Sequence, residues 1–243
     1  MDAEPTAGVA GRPIREWHAV AAEEKAASVL RLLAGRRIDT VVDVGCGTGV
    51  VLQALDRQGF AGRYWACEPT PALHSEIPPI DRLVAAENTT FDQAFPGQGF
   101  DLAILSHVAE HLLTPAVLIG ELLERARFVL VEVPIEDNLA GKTRVRVREL
   151  QGRARLANAA GHVQFFSRQT ARALINHSGG RVLAERGYFP RAPYAAFANS
   201  PLQKVVLAAS RLGPLGRRYH EHFAMLAERT VIPSWDHHYI EPR

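Results

Sequence analysis

Two groups of residues in this sequence have types and spacings suited to chemistry, and the first is a run of alternating glycines. Gly45, Gly47 and Gly49 lie between a short apolar run and an amphipathic segment. Glycine tolerates positive φ and has no Cβ, so a ligand can lie directly on the backbone amides of such a turn. Asp43 precedes the turn, and Glu68 follows at a distance typical of acids that accept hydrogen bonds from ribose hydroxyls. The pattern predicts a nucleotide-type ligand.

The second group follows a later apolar run and contains Ser106, His107, Glu110 and His111. The last three are spaced i, i+3 and i+4, so a helix or first helical turn would present them on one face. A histidine titrates near neutrality and can remove a proton from an acceptor hydroxyl. Together with His162, the group offers three imidazoles and one carboxylate, a set that can bind a divalent metal ion. Alternatively, Glu110 and His111 only hydrogen-bond the end of the sheet, and His162 gates the pocket.

The elements that must position these residues follow from an alternation of short apolar runs and amphipathic segments. The predicted strands are 41–44, 64–67, 83–86, 102–105, 128–133, 181–185 and 223–232, and the predicted helices are 14–33, 50–58, 115–127 and 168–178. Strands that are apolar on both faces are typical of a parallel sheet covered by helices. We therefore expect a Rossmann-like, doubly wound α/β fold with seven strands, mostly parallel, the last strand antiparallel.

The same patterns predict the domain organisation. Residues 1–13, rich in Ala, Gly and Pro, are expected to form a loose tail, and residues 14–243 one domain. Within it, residues 134–161 are expected to form a lid over the pocket. Within this segment, residues 142–155 have one acid, Glu149, and six basic residues: Lys142, Arg144, Arg146, Arg148, Arg153 and Arg155. Such a lid would attract an anionic acceptor, unless it is simply a solvated surface helix.

Composition narrows the function classes. The chain of 243 residues has 28 Lys and Arg against 26 Asp and Glu, which does not favour general binding to nucleic acid or membranes. No apolar stretch is long enough to span a bilayer, and no signal peptide is evident. Two cysteines, Cys46 and Cys67, indicate neither a disulfide framework nor a zinc ribbon. We expect a cytoplasmic protein, and the sequence leaves its oligomeric state open, a homodimer included.

From about residue 38 to 187, the sequence resembles the class I S-adenosylmethionine-dependent methyltransferases. Their glycine motif has the form E/D-x-G-x-G-x-G, and here it reads Asp43-Val44-Gly45-Cys46-Gly47-Thr48-Gly49. Glu68-Pro69 is similar to the family's ribose-binding acid, and Glu87-Asn88 to its adenine-edge position. Ser106 stands at the exit of strand four, beside the donor site that the resemblance implies. The resemblance thus implies S-adenosylmethionine as cofactor and these residues as its site.

The resemblance also indicates the acceptor. The sequence lacks the Asn-Pro-Pro-Tyr type of element with which amino-group methyltransferases follow strand four, so a hydroxyl is favoured over an exocyclic amine. The segment 161–182 is similar to one in enzymes that methylate small metabolites. We expect a small-molecule acceptor of the secondary-metabolite or glycan type, anionic or glycosidic, with histidine-assisted deprotonation.

Three alternatives stay open. Small-RNA 2′-O-methyltransferases and ubiquinone-pathway O-methyltransferases have an E-x-x-E-H element with a later histidine, which in the former binds a metal. Here His107 replaces the first glutamate. A metal-assisted RNA enzyme is therefore one alternative, although no aromatics interleave with the arginines as RNA stacking would favour. The others are a nicotinamide-dependent oxidoreductase and a non-catalytic methyltransferase-fold subunit.

Overall fold

The computed structural model describes residues 14–135, 161–197, 204, 207–208 and 222–230. Within these residues the strands are β1 Thr40–Val44, β2 Arg63–Cys67, β3 Leu83–Glu87, β4 Phe100–Ser106, β5 Ala126–Pro134, β6 Gly180–Tyr188 and β7 His222–Arg229. The helices are α1 Ile14–Leu32, α2 Val50–Arg57, α3 Pro71–His74, α4 Phe91–Ala94, α5 Pro115–Arg125, α6 Arg168–His177 and α7 Arg191–Phe197. A short 3-10 helix, Ala109–His111, follows β4.

The strands form one sheet in the order β3-β2-β1-β4-β5-β7-β6. The first five strands pair in parallel, whereas β7 is antiparallel to both β5 and β6. The predicted Rossmann-like fold with an antiparallel last strand is confirmed. The strand order reverses between β1 and β4, and ligands of open α/β sheets bind outside the carboxyl ends of strands at such a point.

Both faces of the sheet are buried, which explains the continuous apolar runs of its central strands. On one face, Val42, Leu105 and Val131 pack in a core that α5 and α6 cover. On the other, Val41, Ile104 and Leu130 pack in a second core that α1 and α2 cover. With both faces filled, the ends of the strands are the part of the sheet left for a ligand.

Several predicted boundaries shift. The strand predicted at 181–185 begins one residue earlier, at Gly180, and continues to Tyr188 because β6 pairs with β7 along its whole length. The short helices α3, α4 and α7 were not predicted, since elements of 4 to 7 residues carry little periodicity. The predicted tail 1–13 and the basic residues of the predicted lid lie outside the described residues.

Among the helices described, none combines the length and apolarity needed to cross a lipid bilayer.

Candidate active site

A cavity of about 790 Å³ lies at the carboxyl ends of β1, β2 and β4. The predicted residues that line it are Asp43, Gly45, Cys46, Glu68, Pro69, Ser106, His107 and His111. Its volume lies in the range of small-molecule sites, about 300–1,000 Å³. The glycine-turn group and the histidine group therefore meet at one cavity, although they are far apart in sequence.

The glycine turn has the backbone geometry that its sequence predicts. Gly45, Gly47 and Gly49 have φ of 68°, 57° and 70°. The Gly45 amide donates to the Cys67 carbonyl oxygen at 2.8 Å, which joins the turn to the end of β2. Gly49 then caps the N-terminus of α2, so the turn presents a helix N-terminus to the cavity.

Gly45→Ala is expected to destabilise the fold by roughly 3 kcal/mol. A Cβ on Gly45 would approach Val108 Cγ2 to 2.6 Å, and the residue would be left-handed at φ 68°. The left-handed backbone costs about 1–2 kcal/mol and the overlap about 1–3 kcal/mol. The matched control is Gly59→Ala, where φ is 76° and no atom lies within 4 Å of the added Cβ. Chemical denaturation should show a clearly smaller loss for the control, and equal losses would contradict this account.

Glu68 joins two loops that face the cavity. Its carboxylate accepts hydrogen bonds from the Gly47 amide at 2.9 Å and from the Thr70 amide at 2.8 Å. The residue is buried, with 5% of its surface exposed. A carboxylate that holds two backbone amides fixes the shape of the glycine turn, and its other lone pairs can accept hydrogen bonds from a ligand.

Asp43 is the second buried carboxylate of the cavity. Burial raises the pKa of its carboxyl to about 7, and the nearby Lys25 ammonium acts in the opposite direction. Its Oδ2 atom has no hydrogen-bond partner among the described residues. An orphaned buried carboxylate oxygen is costly, so this atom is suited to a cationic or hydrogen-bond-donating ligand.

The predicted adenine-edge residues do not line the cavity. Glu87 and Asn88 are both exposed, and the Asn88 side-chain amide donates to the Glu68 carbonyl oxygen at 2.7 Å. The cavity wall after β3 is formed instead by Thr89, Thr90 and the residues that begin α4. Asn88 therefore holds the Glu68 backbone from outside the cavity, and the role of Glu87 stays a prediction.

The chain after β4 is not the helical turn that the i, i+3, i+4 spacing suggested. His107 has φ of 58°, which is uncommon for a residue with a Cβ. This left-handed residue turns the chain before the 3-10 helix, so the His107 ring and the His111 ring face different neighbours. The predicted four residues therefore lie in two clusters, and Glu110 contributes to both.

The first cluster surrounds His107. Its Nδ1 lies 3.0 Å from Glu110 Oε1, and its Nε2 lies 3.1 Å from Glu132 Oε1. Burial and Lys25 would lower the pKa of His107, but the two glutamates raise it on balance. Burial would raise the pKa of Glu132, but hydrogen bonds from His107 and His222 hold it well below its usual range.

The second cluster contains Glu110, His111 and His162, each offering a ligand atom within 4.8 Å of the others. The two imidazole rings meet edge to face, with centroids 4.9 Å apart. The Glu110 carbonyl oxygen accepts from the amides of Val163 and Gln164, which holds the later segment against the 3-10 helix. Glu110 Oε2 is buried and has no partner in the described structure, so this cluster can hold a proton or a metal ion.

Three residues of the site were missed by sequence reasoning: Lys25 in the cavity wall, and Glu132 and His222 behind His107. Glu132 carried a signal, because a carboxylate within the apolar strand β5 requires a partner. The position of His222 could not be found from sequence, since it depends on the pairing of β7 with β5.

Comparison with known proteins places this site in context. A family model described as a methyltransferase domain matches residues 17–185. No curated protein matches the chain significantly.

Solved structures with the same fold include three of differing activity. The mitomycin 7-O-methyltransferase has a TM-score of 0.59 at 17% identity, over 88% of this chain and 54% of that one, so this chain spans about half its length. A plantazolicin methyltransferase, in complex with a substrate analogue and S-adenosylhomocysteine, has a TM-score of 0.58 at 10% identity over 89% and 87%. A [4+2]-cyclase has a TM-score of 0.58 at 14% identity over 86% and 82%. At these identities the likeness establishes the fold alone.

Proposed function

This chain belongs to the class I S-adenosylmethionine-dependent methyltransferases, and from that premise we propose that it methylates a hydroxyl of a small metabolite. The observation that carries the proposal is the convergence of the glycine turn, Glu68 and the histidine group on one cavity. We propose that the metabolite is of the secondary-metabolite or glycan type. Cytoplasmic location and a homodimer stay predictions.

The donor site fits a cationic, nucleoside-containing ligand. The two buried carboxylates, Asp43 and Glu68, lie beside the helix N-terminus that the glycine turn forms. A Cβ placed on Gly47 would meet no atom within 4 Å, so the turn is open on that side. When bound, S-adenosylmethionine supplies an activated methyl group, so the protein chiefly has to orient donor and acceptor and remove a proton.

His111 is the base that we propose for the acceptor hydroxyl. It lines the cavity beside His162, and the predicted hydroxyl would lie on this wall. Partial burial lowers the pKa of His111, although Glu110 acts in the opposite direction. The ring is therefore neutral near pH 7 and has a lone pair that can accept the proton.

The acceptor side of the cavity is largely apolar. Leu113 and Val117 line it, with 82% and 72% of their surfaces exposed. Exposed large apolar side chains at the rim of a cavity mark a binding surface. This rim favours an acceptor whose hydroxyl stands on an apolar or aromatic skeleton. The anionic-acceptor hypothesis depends on the basic segment, which lies outside the described residues, and stays a prediction.

The experiment that tests the function is incubation of the protein with methyl-labelled S-adenosylmethionine and fractionated metabolite extracts. We expect label in a small-molecule product, together with S-adenosylhomocysteine. An ether product keeps its label in alkali, whereas a methyl ester releases it. Label in RNA, or no S-adenosylhomocysteine with any fraction, would contradict the proposal and favour the RNA enzyme or the non-catalytic subunit.

The raised pKa of Asp43 predicts how donor-site affinity depends on pH. Because this pKa is about 7, Asp43 is mostly neutral at pH 6 and mostly ionised at pH 8. The ionised form binds a cation better, so affinity for S-adenosylhomocysteine, which carries an ammonium group, should be up to about tenfold weaker at pH 6 than at pH 8. Calorimetry at both pH values tests this prediction. Asp43→Asn should flatten the dependence, and an unchanged slope in that variant would refute it.

A metal-assisted reaction is the second candidate, because Glu110, His111 and His162 form a three-ligand set. Three of the four residues in the predicted metal set fit this role, whereas His107 faces Glu132 and His222 through its second nitrogen. In this mechanism the three residues would hold a divalent metal ion, which would supply the Lewis-acid chemistry that lowers the pKa of an acceptor hydroxyl. Full turnover after exhaustive chelation would exclude this candidate and leave His111 as the base.

A further inference from the structure

We propose that His107, Glu132 and His222 form a binding site for a divalent first-row transition-metal ion, behind the cavity wall. His107 directly follows β4, Glu132 lies within β5 and His222 begins β7, so the site joins three neighbouring strands. The site has no ligand in common with the Glu110, His111 and His162 cluster and does not depend on the proposed methyl transfer.

The donor atoms of these residues have the spacing of metal ligands. His107 Nε2 and His222 Nδ1 each lie 3.1 Å from Glu132 Oε1, and the two nitrogens lie 3.3 Å apart. Ligands that bind Zn²⁺ tetrahedrally with bonds of 2.0–2.1 Å are about 3.3 Å apart, and those of an octahedral ion about 3.0 Å. The triangle of donor atoms therefore matches one face of such a coordination sphere.

The hydrogen-bonding pattern of Glu132 also indicates a cation. Its Oε1 is approached by two imidazole nitrogens and by the Tyr188 hydroxyl, which donates at 2.8 Å. Its Oε2 is buried and has no partner in the described part of the chain. Three groups therefore approach one oxygen of the carboxylate, whereas none of the described groups approaches the other. A metal ion between the two nitrogens and Oε1 accounts for this crowding, since lone pairs then point to a common centre.

The second ring nitrogen of His107 has a carboxylate partner, as it usually does in metal-binding histidines. This nitrogen, Nδ1, lies 3.0 Å from the Glu110 carboxylate. Such a carboxylate fixes the tautomer in which Nδ1 carries the proton, which leaves the Nε2 lone pair for the metal. Two imidazoles and one carboxylate suit Zn²⁺, Fe²⁺ or Co²⁺ better than Mg²⁺ or Ca²⁺.

The position of the site suggests its role. The Glu132 and His222 side chains are 1% and 8% exposed, whereas His107 also lines the cavity. A metal ion here would fix the His107 ring in the cavity wall and tie the ends of β4, β5 and β7 together.

The test is cobalt binding to the full-length chain after removal of metals by a chelator. We expect one Co²⁺ per chain, with visible absorption bands typical of a nitrogen- and oxygen-bound ion. His222→Gln and Glu132→Gln should each weaken binding at least about 100-fold. His162→Gln and His177→Gln are the controls, since neither removes a ligand of this site and His177 is exposed on α6, and both should keep one Co²⁺ per chain.

Two results would overturn the proposal. The wild-type chain could take up no Co²⁺ or Zn²⁺, in which case the cluster is a hydrogen-bonded network only. Alternatively, binding could be lost in His162→Gln and kept in His222→Gln, which would place the ion in the other cluster. Far-UV circular dichroism of each variant checks folding. X-ray absorption of cobalt-loaded His162→Gln, where we still expect two imidazole ligands, gives a second readout, because an ion in the other cluster would keep only one.

Discussion

Replacing His111 by alanine is expected to lower kcat by about 10²–10⁴-fold, the usual contribution of a positioned general base. The imidazole lies on the cavity wall beside His162, and partial burial keeps it neutral near pH 7. Without it, the cavity wall loses the imidazole that we propose removes the acceptor proton. The measurement is S-adenosylhomocysteine release with the acceptor that the extract screen identifies.

The control for this prediction is His177→Ala, because His177 is exposed on α6 and its ring contacts only backbone of its own helix among the hydrogen bonds described. Its kcat should match that of the wild type. Affinity of His111→Ala for S-adenosylhomocysteine should also be unchanged, since the base is needed for chemistry and not for donor binding. Full turnover in His111→Ala would remove the base assignment.

Glu68→Gln is expected to weaken binding of S-adenosylhomocysteine by about 100-fold. The carboxylate accepts the Gly47 and Thr70 amides, and hydrogen bonds to a charged group contribute about 1.5–3 kcal/mol each. A glutamine has one acceptor oxygen, and its NH₂ group would face an amide donor. The glycine turn then loses one anchor, and a ligand loses a charged hydrogen-bond acceptor.

Calorimetric titration with S-adenosylhomocysteine measures this loss. Glu124→Gln serves as the matched control, because its side chain on α5 is 65% exposed, and it should bind as the wild type does. A factor of 10 in affinity corresponds to 1.4 kcal/mol. If the affinity of Glu68→Gln for S-adenosylhomocysteine is within about threefold of the wild-type value, Glu68 is not part of the donor site.

The fold was largely predictable from the sequence because short, local residue patterns specify its strands, turns and helices. Apolar runs such as Val41–Val44, ended by a glycine turn and followed by an amphipathic segment, require a buried strand, a turn and a covering helix. The glycine motif then predicts a donor site at the end of β1. Local patterns could not predict the short helices or the exact end of β6. That end is set by the pairing of β6 with β7.

The candidate site was predictable only in part. The spacing of His107, Glu110 and His111 suggested one face of a helix, but the left-handed backbone at His107 directs its ring towards β5 and β7. Its partners there, Glu132 and His222, are brought to it by pairing between distant segments. Residue spacing within one segment cannot predict such contacts. A lone glutamate in an apolar strand nevertheless indicates that a partner from another segment is required there.

The central claim is that the cavity at the ends of β1, β2 and β4 binds S-adenosylmethionine. Equilibrium binding of the labelled cofactor to the purified chain, in parallel with labelled NAD, tests it most directly. We predict saturable binding of one S-adenosylmethionine per chain, competed by S-adenosylhomocysteine and weakened by Glu68→Gln, with no binding of NAD. Binding of NAD in its place, or S-adenosylmethionine binding that Glu68→Gln leaves unchanged, would contradict the account.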